Sequence, residues 1–532
     1  MTRDLRRLGA DHVDLLIVGG GIHGLFAAYD AAGRGLRVAL VERGDFAAGL
    51  SFNHQRTIHG GLRALQHGAI GKVREQLDER RTWTRLAPHL IRPLPFVIGT
   101  YGVGTRSRLA LRLGLAAYDV IGRDRNAGVP DGLILPHSGV LSRSETQSAF
   151  PGVRADGLTG GARWYDYQAR HPDRMNWLVA AAAMQTGAAL FNYVECLAPL
   201  RTGARIEGAR VRVWPSGEER DIAAASTLLC AGAGLADLHR RFGLTGAPPL
   251  VRAMNLVLDR PALGSAVAAP GRSGRMLTCV PWSGYSLVGT YQSEAVVTTP
   301  EDGPPEPVLA AMLDDVQAAF PHLEADRAAI RVVHHGLTPA HVVDGRADLL
   351  PESQVLSRPD LGVYSLVGVK FTTARLAAAA AVDALCRDLG RGSSSQTARA
   401  TLPGGTAEGA AAAIDARCQA AGLDLDAAAR QHLVDWYGTE APEVLDYAIA
   451  AGLATRLTVD SPVLAGEIVY AQERAAALRL ADVVLRRTDL GSTGHPGRAA
   501  LEAAASLMAG RCGWSDAQRE EEIRIVERRY EH

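Results

Sequence analysis

The chain has 532 residues, several times the usual domain length, so two or three domains with sizeable cores are expected. Lys+Arg and Asp+Glu both number 57, and a formal charge of zero excludes a global field for nucleic acid or for an anionic bilayer. Six widely separated cysteines (Cys196, Cys230, Cys279, Cys386, Cys418 and Cys512) show neither metal-ligand spacing nor the density of a secreted disulfide scaffold, so a reducing cytoplasm and no metal are expected.

In chain order, Met1 to Val13 is charged and lacks the apolar core of a signal peptide. No apolar run is long enough to span a bilayer, which leaves only peripheral contact, at the inner membrane face, as a membrane role. Val13 to Val18 is a short apolar run, Gly19 to Gly24 is glycine-rich, Leu25 to Gly33 has helical apolar spacing, and Arg37 to Glu42 is apolar again. That order predicts a βαβ unit. Gly19-x-Gly21-x-x-Gly24 then opens a helix after a strand, and Glu42 closes the next strand at the separation expected of a ribose acid. The first glycine permits the tight turn, the second admits a pyrophosphate to backbone N–H groups, and the third lets helix and sheet pack closely. The helix start stabilises phosphate charge, and Glu42 argues against a 2′-phosphate. NAD and FAD are not separated by this motif.

Ser226 to Leu238 and Gly362 to Leu385 repeat the succession of apolar strand, glycine turn and Ala-rich helix, so three pieces of one sheet are separated by long insertions. The insertions, about 80–150 and 250–330, are richer in Pro and alternating apolar residues and are expected to supply a second, antiparallel sheet. Ser393 to Thr397 and Leu402 to Gly405 read as a linker, and Ala407 to His532 as a separate helical domain. In the Val363–Ala374 segment a strand runs into Gly368 and Lys370, and a helix starts near Thr372 or Thr373, either of which can serve as N-cap. Only Lys72 and Lys370 are lysines, so the choice of a compact ammonium at Lys370 stands out from an otherwise arginine-writing chain.

The runs Asp30-Ala31-Ala32-Gly33-Arg34-Gly35, Ile58-His59-Gly60-Gly61-Leu62-Arg63 and Val369-Lys370-Phe371-Thr372-Thr373 resemble the flavin-dependent glycerol-3-phosphate dehydrogenases. So do Ala87-Pro88-His89-Leu90, Pro281-Trp282, Gly289-Thr290, Leu402-Pro403-Gly404-Gly405, Glu467-Ile468-Val469-Tyr470-Ala471 and Arg486-Arg487-Thr488, in order along nearly the whole chain. The resemblance implies an α/β fold: an FAD-binding Rossmann-like domain of the glutathione-reductase/D-amino-acid-oxidase type, interleaved with a mixed-sheet substrate domain and followed by a helical C-terminal domain. Its flavin segments would be about 10–75, 150–245 and 330–390, its substrate segments about 80–150 and 250–330, and its helical domain 401–532. Gly19, Gly21, Gly24, Glu42, Ser51, His59, Gly60, Gly61, Leu62, Ala231, Gly232, Gly368, Lys370, Phe371 and Thr372 are the implied FAD contacts. Lys370 and the helix end beside it would place positive potential where reduced flavin carries negative charge. A small-molecule substrate and an electron acceptor (a quinone, another carrier or O₂) are the implied partners.

The pattern breaks at the substrate. Gly336-Leu337-Thr338-Pro339 stands where the family has Gly-Val-Arg-Pro, Leu350-Pro351-Glu352-Ser353 lacks the family's second arginine, Asn255 replaces a histidine, and Ala64 replaces a tyrosine. Losing charged partners from a phosphate site is costly, so a substrate other than glycerol-3-phosphate is expected; the alternatives are phosphate binding through other arginines, or a flavin-retaining protein without catalysis. Candidate catalytic residues are Lys370, Arg63, His334, His335, His341 and Asn255, although Asn has no useful proton affinity. His54, shortly after the ribose acid, is a polar loop residue or the point of a covalent flavin link of the kind found in dimethylglycine-dehydrogenase-like flavoproteins.

Overall fold

The computed structural model describes residues 3–102, 104, 107–297 and 303–531. Val13–Val18 has Leu15, Leu16 and Ile17 fully buried, so both faces of this strand are covered, as a parallel strand between helix layers requires. It is the centre of an eight-stranded sheet whose main order is Gln354–Arg358, Val363–Val367, Glu219–Leu229, Val13–Val18, Val38–Val41 and Ala189–Phe191. Val363–Val367, Glu219–Leu229, Val13–Val18, Val38–Val41 and Ala189–Phe191 run parallel. Helices Ile22–Gly33, Pro172–Gln185 and Ala374–Asp388 pack together on this sheet through Ala27, Ala28, Ala31, Ala180, Ala378 and Ala381, whose small side chains allow close approach. Buried Arg34 ties two of these helices by pairing with Asp30 and Asp383 at 2.5 Å each.

The second sheet has ten strands and is antiparallel except where Ala266–Pro270 runs parallel to Ile91–Tyr101. Its composition corrects the expected segment boundaries. Leu158–Ala169 and Ile330–Val343, assigned from the sequence to flavin segments, belong here, as does Thr57–Ile58. Ile330–Val343 pairs with Leu250–Pro261 from Ile330 to Pro339, and no change of composition marks where one sheet's territory ends. Its three histidines therefore stand on the second sheet.

Beyond it, the chain is helical: Ala410–Ala421, Ala427–Tyr437, Ala441–Ala450, Ala465–Arg474, Arg498–Cys512 and Asp516–Glu527 enclose two apolar clusters. The expected linker is docked rather than free, because Leu402 is buried and its N–H donates to Leu86 O. No described helix is long and apolar enough to cross a membrane.

Candidate active site

The βαβ turn builds a cradle from backbone. Gly19 adopts φ +112°, and a Cβ there would lie 2.5 Å from Cys230 O; a Cβ on Gly24 would collide with the Gly19 carbonyl. Gly21 is extended and caps the helix without a side chain, and a Cβ there would meet Ser51 Oγ at 3.2 Å and nothing else within 4 Å. Open space at a helix start with bare N–H groups is what a pyrophosphate needs. Ser51 Oγ accepts from Ile22 N–H at 3.0 Å, which fixes the loop that walls the cradle. Glu42 accepts from Gly20 N–H at 2.7 Å and Gly44 N–H at 2.8 Å, one on each carboxylate oxygen. Burial raises its pKa and these two bonds oppose the rise. Each oxygen keeps a second lone pair for a ribose hydroxyl. Gly232 turns at φ +52° with no atom within 4 Å of a Cβ position, and Gly368 lies against the ring of His23. Burial lowers the pKa of His23 to about 4 and its Nε2 has no partner among the described residues, a polar atom at the cradle that sequence reading did not notice.

At the other end, two segments remote in sequence are fastened together. Thr372 Oγ1 accepts from His59 N–H at 3.1 Å, and Thr372 O accepts from Trp83 Nε1 at 3.2 Å. Trp83 stacks on Phe371 at 5.4 Å, and His54 leans on Phe371 at 4.6 Å. Thr372 is thus not a helix cap, and Thr373, which stands at the N-cap of Ala374–Asp388, makes no side-chain capping bond. His54 is a partly buried loop residue; its Nδ1 accepts from Arg56 N–H at 3.0 Å, its Nε2 has no partner among the described residues, and burial lowers its pKa to about 3. Gly60 has no room for a side chain beside Tyr118 and Arg80, and Gly61, at φ +81°, starts the short helix Leu62–Leu65.

Asp166 organises this turn. Its Oδ1 accepts from Gly60 N–H at 2.7 Å and from Arg80 Nη1 at 2.6 Å, while Oδ2 lies 3.4 Å from His59 Nδ1. Burial works against its charge, and the His59 and Arg80 partners outweigh burial and hold the pKa low. The result is an imidazole oriented by an ionised carboxylate, with the His59 side chain 54% exposed. Sequence reading had given His59 to the cofactor alone.

Lys72 pairs with Glu352 at 2.7 Å, and Lys370 feels Glu352, Lys72 and Arg63. Burial lowers the pKa of Lys370, with Glu352 acting in the opposite sense. Ser353 Oγ accepts from Val369 N–H at 3.1 Å and holds the strand end that carries Lys370. Lys72 thus adds a charge that sequence reading did not find; the rarity of lysine was the available signal.

The proposed histidine bases are not assembled. His334 and His335 are consecutive on a strand and so face opposite ways, and His341 is roughly 20 Å farther along it. Burial depresses His334 well below its ordinary pKa and His335 to about 4. None of the three shows a carboxylate partner among the described residues. Asn255, opposite His334, accepts from Thr290 Oγ1 at 3.0 Å and is fixed within the sheet. Thr338, opposite Val251, is 8% exposed.

The C-terminal helices close over the cradle loop. Asp45, three residues after Glu42 and fully buried as a side chain, receives Arg486 Nε at 2.6 Å and Arg487 Nη2 at 2.7 Å. Farther along the same loop, Asn53 Oδ1 accepts from Arg529 at 3.0 Å and Asn53 Nδ2 donates to His335 O. Sequence reading had marked Arg486-Arg487 without a place for them.

The chain is similar over nearly its whole length to known proteins. Residues 14–384 match the family model of FAD dependent oxidoreductases, and residues 395–519 match the C-terminal domain of alpha-glycerophosphate oxidase. The chain is 28% identical to the glycerol-3-phosphate dehydrogenase of a Synechocystis species, over 96% of this chain and 95% of that one. It is 30% identical to glycerol-3-phosphate dehydrogenase 2 of Mycobacterium tuberculosis, over 97% of this chain and 88% of that one. The structure of the Bacillus halodurans glycerol-3-phosphate dehydrogenase complexed with FAD superposes with a TM-score of 0.76 at 22% identity, covering 99% of this chain and 96% of that one.

Proposed function

Because the chain belongs to the FAD-dependent oxidoreductase family, in its glycerol-3-phosphate dehydrogenase/oxidase type, we propose that it oxidises a small anionic substrate at a C–OH or C–N carbon, with His59 as the general base. FAD, when bound, accepts the hydride. The observation that carries the reading is the His59–Asp166 pair beside Gly60 and Gly61. Asp166 holds Nδ1, which leaves Nε2 to take the proton from a substrate hydroxyl or ammonium, the arrangement an imidazole base requires. Trp83 and Phe371 back the turn, and Lys370, Lys72 and Arg63 supply positive charge to an anionic group. Glu352 tempers that charge and orients Lys72.

The preferred substrate is other than glycerol-3-phosphate. Thr338 and Asn255 bring neither charge nor a proton acceptor, and each lost charged hydrogen bond is worth about 1.5–3 kcal/mol. Two such losses correspond to about 10²–10⁴-fold in rate or affinity. Wild-type protein is therefore expected to be reduced slowly by glycerol-3-phosphate in anaerobic rapid mixing, and Thr338→Arg to be reduced faster. Rapid full reduction of the wild type, with no gain in Thr338→Arg, overturns the substrate assignment. A second reading, glycerol-3-phosphate itself, draws on Lys72, which supplies a charge near Lys370 that the missing arginines would otherwise provide.

Lys370→Met is expected to slow flavin reduction at least tenfold and to lower the flavin potential while FAD stays bound, because the ammonium acts on charge that appears in the reaction. Unchanged reduction kinetics would return Lys370 to the role of an ordinary surface cation.

For the acceptor we favour a quinone reached at a bilayer surface. Helix Arg108–Ile121 exposes Leu109, Leu113 and Val120, at 67%, 64% and 70%, along one face, with Arg108 and Arg112 beside them. Co-sedimentation with phosphatidylglycerol/phosphatidylcholine vesicles is expected and should be lost in Leu109→Glu/Leu113→Glu. Equal sedimentation of both proteins removes this face from the account.

A further inference from the structure

A cleft of about 380 Å³ opens between the second sheet and the C-terminal helices, and no step of hydride transfer uses it. Arg92, Arg170 and Trp282 line its sheet side; Asp435, Trp436 and Asp489 line its helical side. Arg92 spends Nε on Gln168 Oε1 at 2.8 Å, and Arg170 gives one nitrogen to Asp435 at 2.6 Å. Partial burial and the neighbouring charge of Arg170 both disfavour protonated Arg92. Two guanidinium groups thus share one wall and, among the described residues, retain N–H donors without a hydrogen-bond partner, the fork that suits a carboxylate or other oxyanion. The indoles of Trp282 and Trp436 are buried and make apolar walls. His171, 8% exposed and edge-on to Trp436 at 4.7 Å, has a buried Nδ1 without a partner among the described residues and forms the N-cap of Pro172–Gln185.

The size is that of a site for a small organic molecule rather than a single ion. Guanidinium groups stand on the sheet wall; opposite, Asp435 pairs with Arg170 across the cleft at 2.6 Å, and Asp489 lies 3.6 Å from His432, which also lines the cleft and whose pKa Glu467 and Asp489 hold well above its ordinary value against burial. A carboxylate suits the guanidinium wall, and hydrogen-bond donors on the same ligand suit the carboxylate oxygens of Asp435 and Asp489 opposite. We propose that the cleft is a second ligand site, which takes a small monocarboxylate bearing hydroxyl or amino groups. Its carboxylate lies at Arg92 and Arg170 and its donors at Asp435 and Asp489.

The site is also wired to the flavin end. Trp282, which lines the cleft, donates from Nε1 to Arg170 O at 3.1 Å. The guanidinium carbon of Arg56 lies 3.7 Å from the centroid of its ring, and His334 lies 6.0 Å from it. Arg56 leads directly into Thr57-Ile58-His59. A ligand that moves Trp282 therefore acts on the strand that delivers the base.

The test is calorimetric titration of the holoenzyme with D-glycerate, L-serine and inorganic phosphate, with flavin absorbance followed in parallel. Glycerate or serine should bind saturably in wild type, and loss of that binding in variants of the cleft, with the flavin spectrum of the free protein unchanged, separates the cleft from the flavin site. Affinity should fall at least tenfold both in Arg92→Gln and in Ala428→Trp, which fills the cleft without touching a charge. Saturation by phosphate alone, unchanged affinity in both variants, or no saturable binding of either monocarboxylate overturns the proposal.

Discussion

His59→Gln is expected to slow anaerobic flavin reduction by about 10²–10⁴-fold, the usual contribution of a positioned general base, with FAD content unchanged. Glutamine keeps a polar side chain but cannot take up a proton. The backbone N–H of residue 59 still reaches Thr372 Oγ1, so the turn keeps its fastening. Asp166→Asn is a harsher companion, because Asp166 also compensates buried Arg80 and holds Gly60 N–H. The diagnostic result is a loss in the rate of reduction without loss of colour. Full-speed reduction in His59→Gln would remove the imidazole from the chemistry and leave Lys370 and Arg63 as the groups to examine.

Asp45→Asn is expected to cost about 3–5 kcal/mol of stability, because it leaves buried Arg487 without its counter-ion and Arg486 with Asp482 alone. The damage should appear first as FAD loss, since Asp45 sits in the loop that starts with Glu42 and ends beside Ser51. The pH dependence has a definite sign. Arg487 and Arg486 overcome burial and hold the Asp45 pKa below its ordinary value. Its contribution is therefore complete above the ordinary carboxylate pKa of about 3.9 and is lost as pH falls through the folded value. Thermal unfolding of wild type and variant at neutral pH, with flavin fluorescence to follow release, checks both parts. Equal melting temperatures and equal FAD content would reduce the clamp to an incidental contact.

The dinucleotide cradle was legible in the sequence because its requirements are local: a buried strand, three glycines with separate steric tasks, and an acid at the end of the next strand. The second sheet was only half legible. Ile330–Val343 and Leu158–Ala169 show no clean alternation that would mark one face as buried, and the sequence holds no sign of which sheet a strand will join. The site failed where it depends on distant partners. His334, His335 and His341 cluster in sequence, but strand geometry sends them to opposite faces and distant ends. Lys72 meets Glu352 only after the chain has passed through both sheets, and Asp45 finds Arg486 and Arg487 from the far end of the chain. The departures at Thr338 and Asn255 were visible, since substitution inside a known pattern is local information.

The most direct test is single-turnover bleaching of the protein-bound FAD under anaerobic conditions by a panel of polyols, hydroxy acids, amino acids and glycerol-3-phosphate, in wild type and His59→Gln. The account predicts full bleaching of the wild type by at least one non-phosphorylated hydroxy or amino acid, and about 10²–10⁴-fold slower bleaching by that compound in the variant. Full bleaching by glycerol-3-phosphate alone, or bleaching by no compound of the panel, would contradict it.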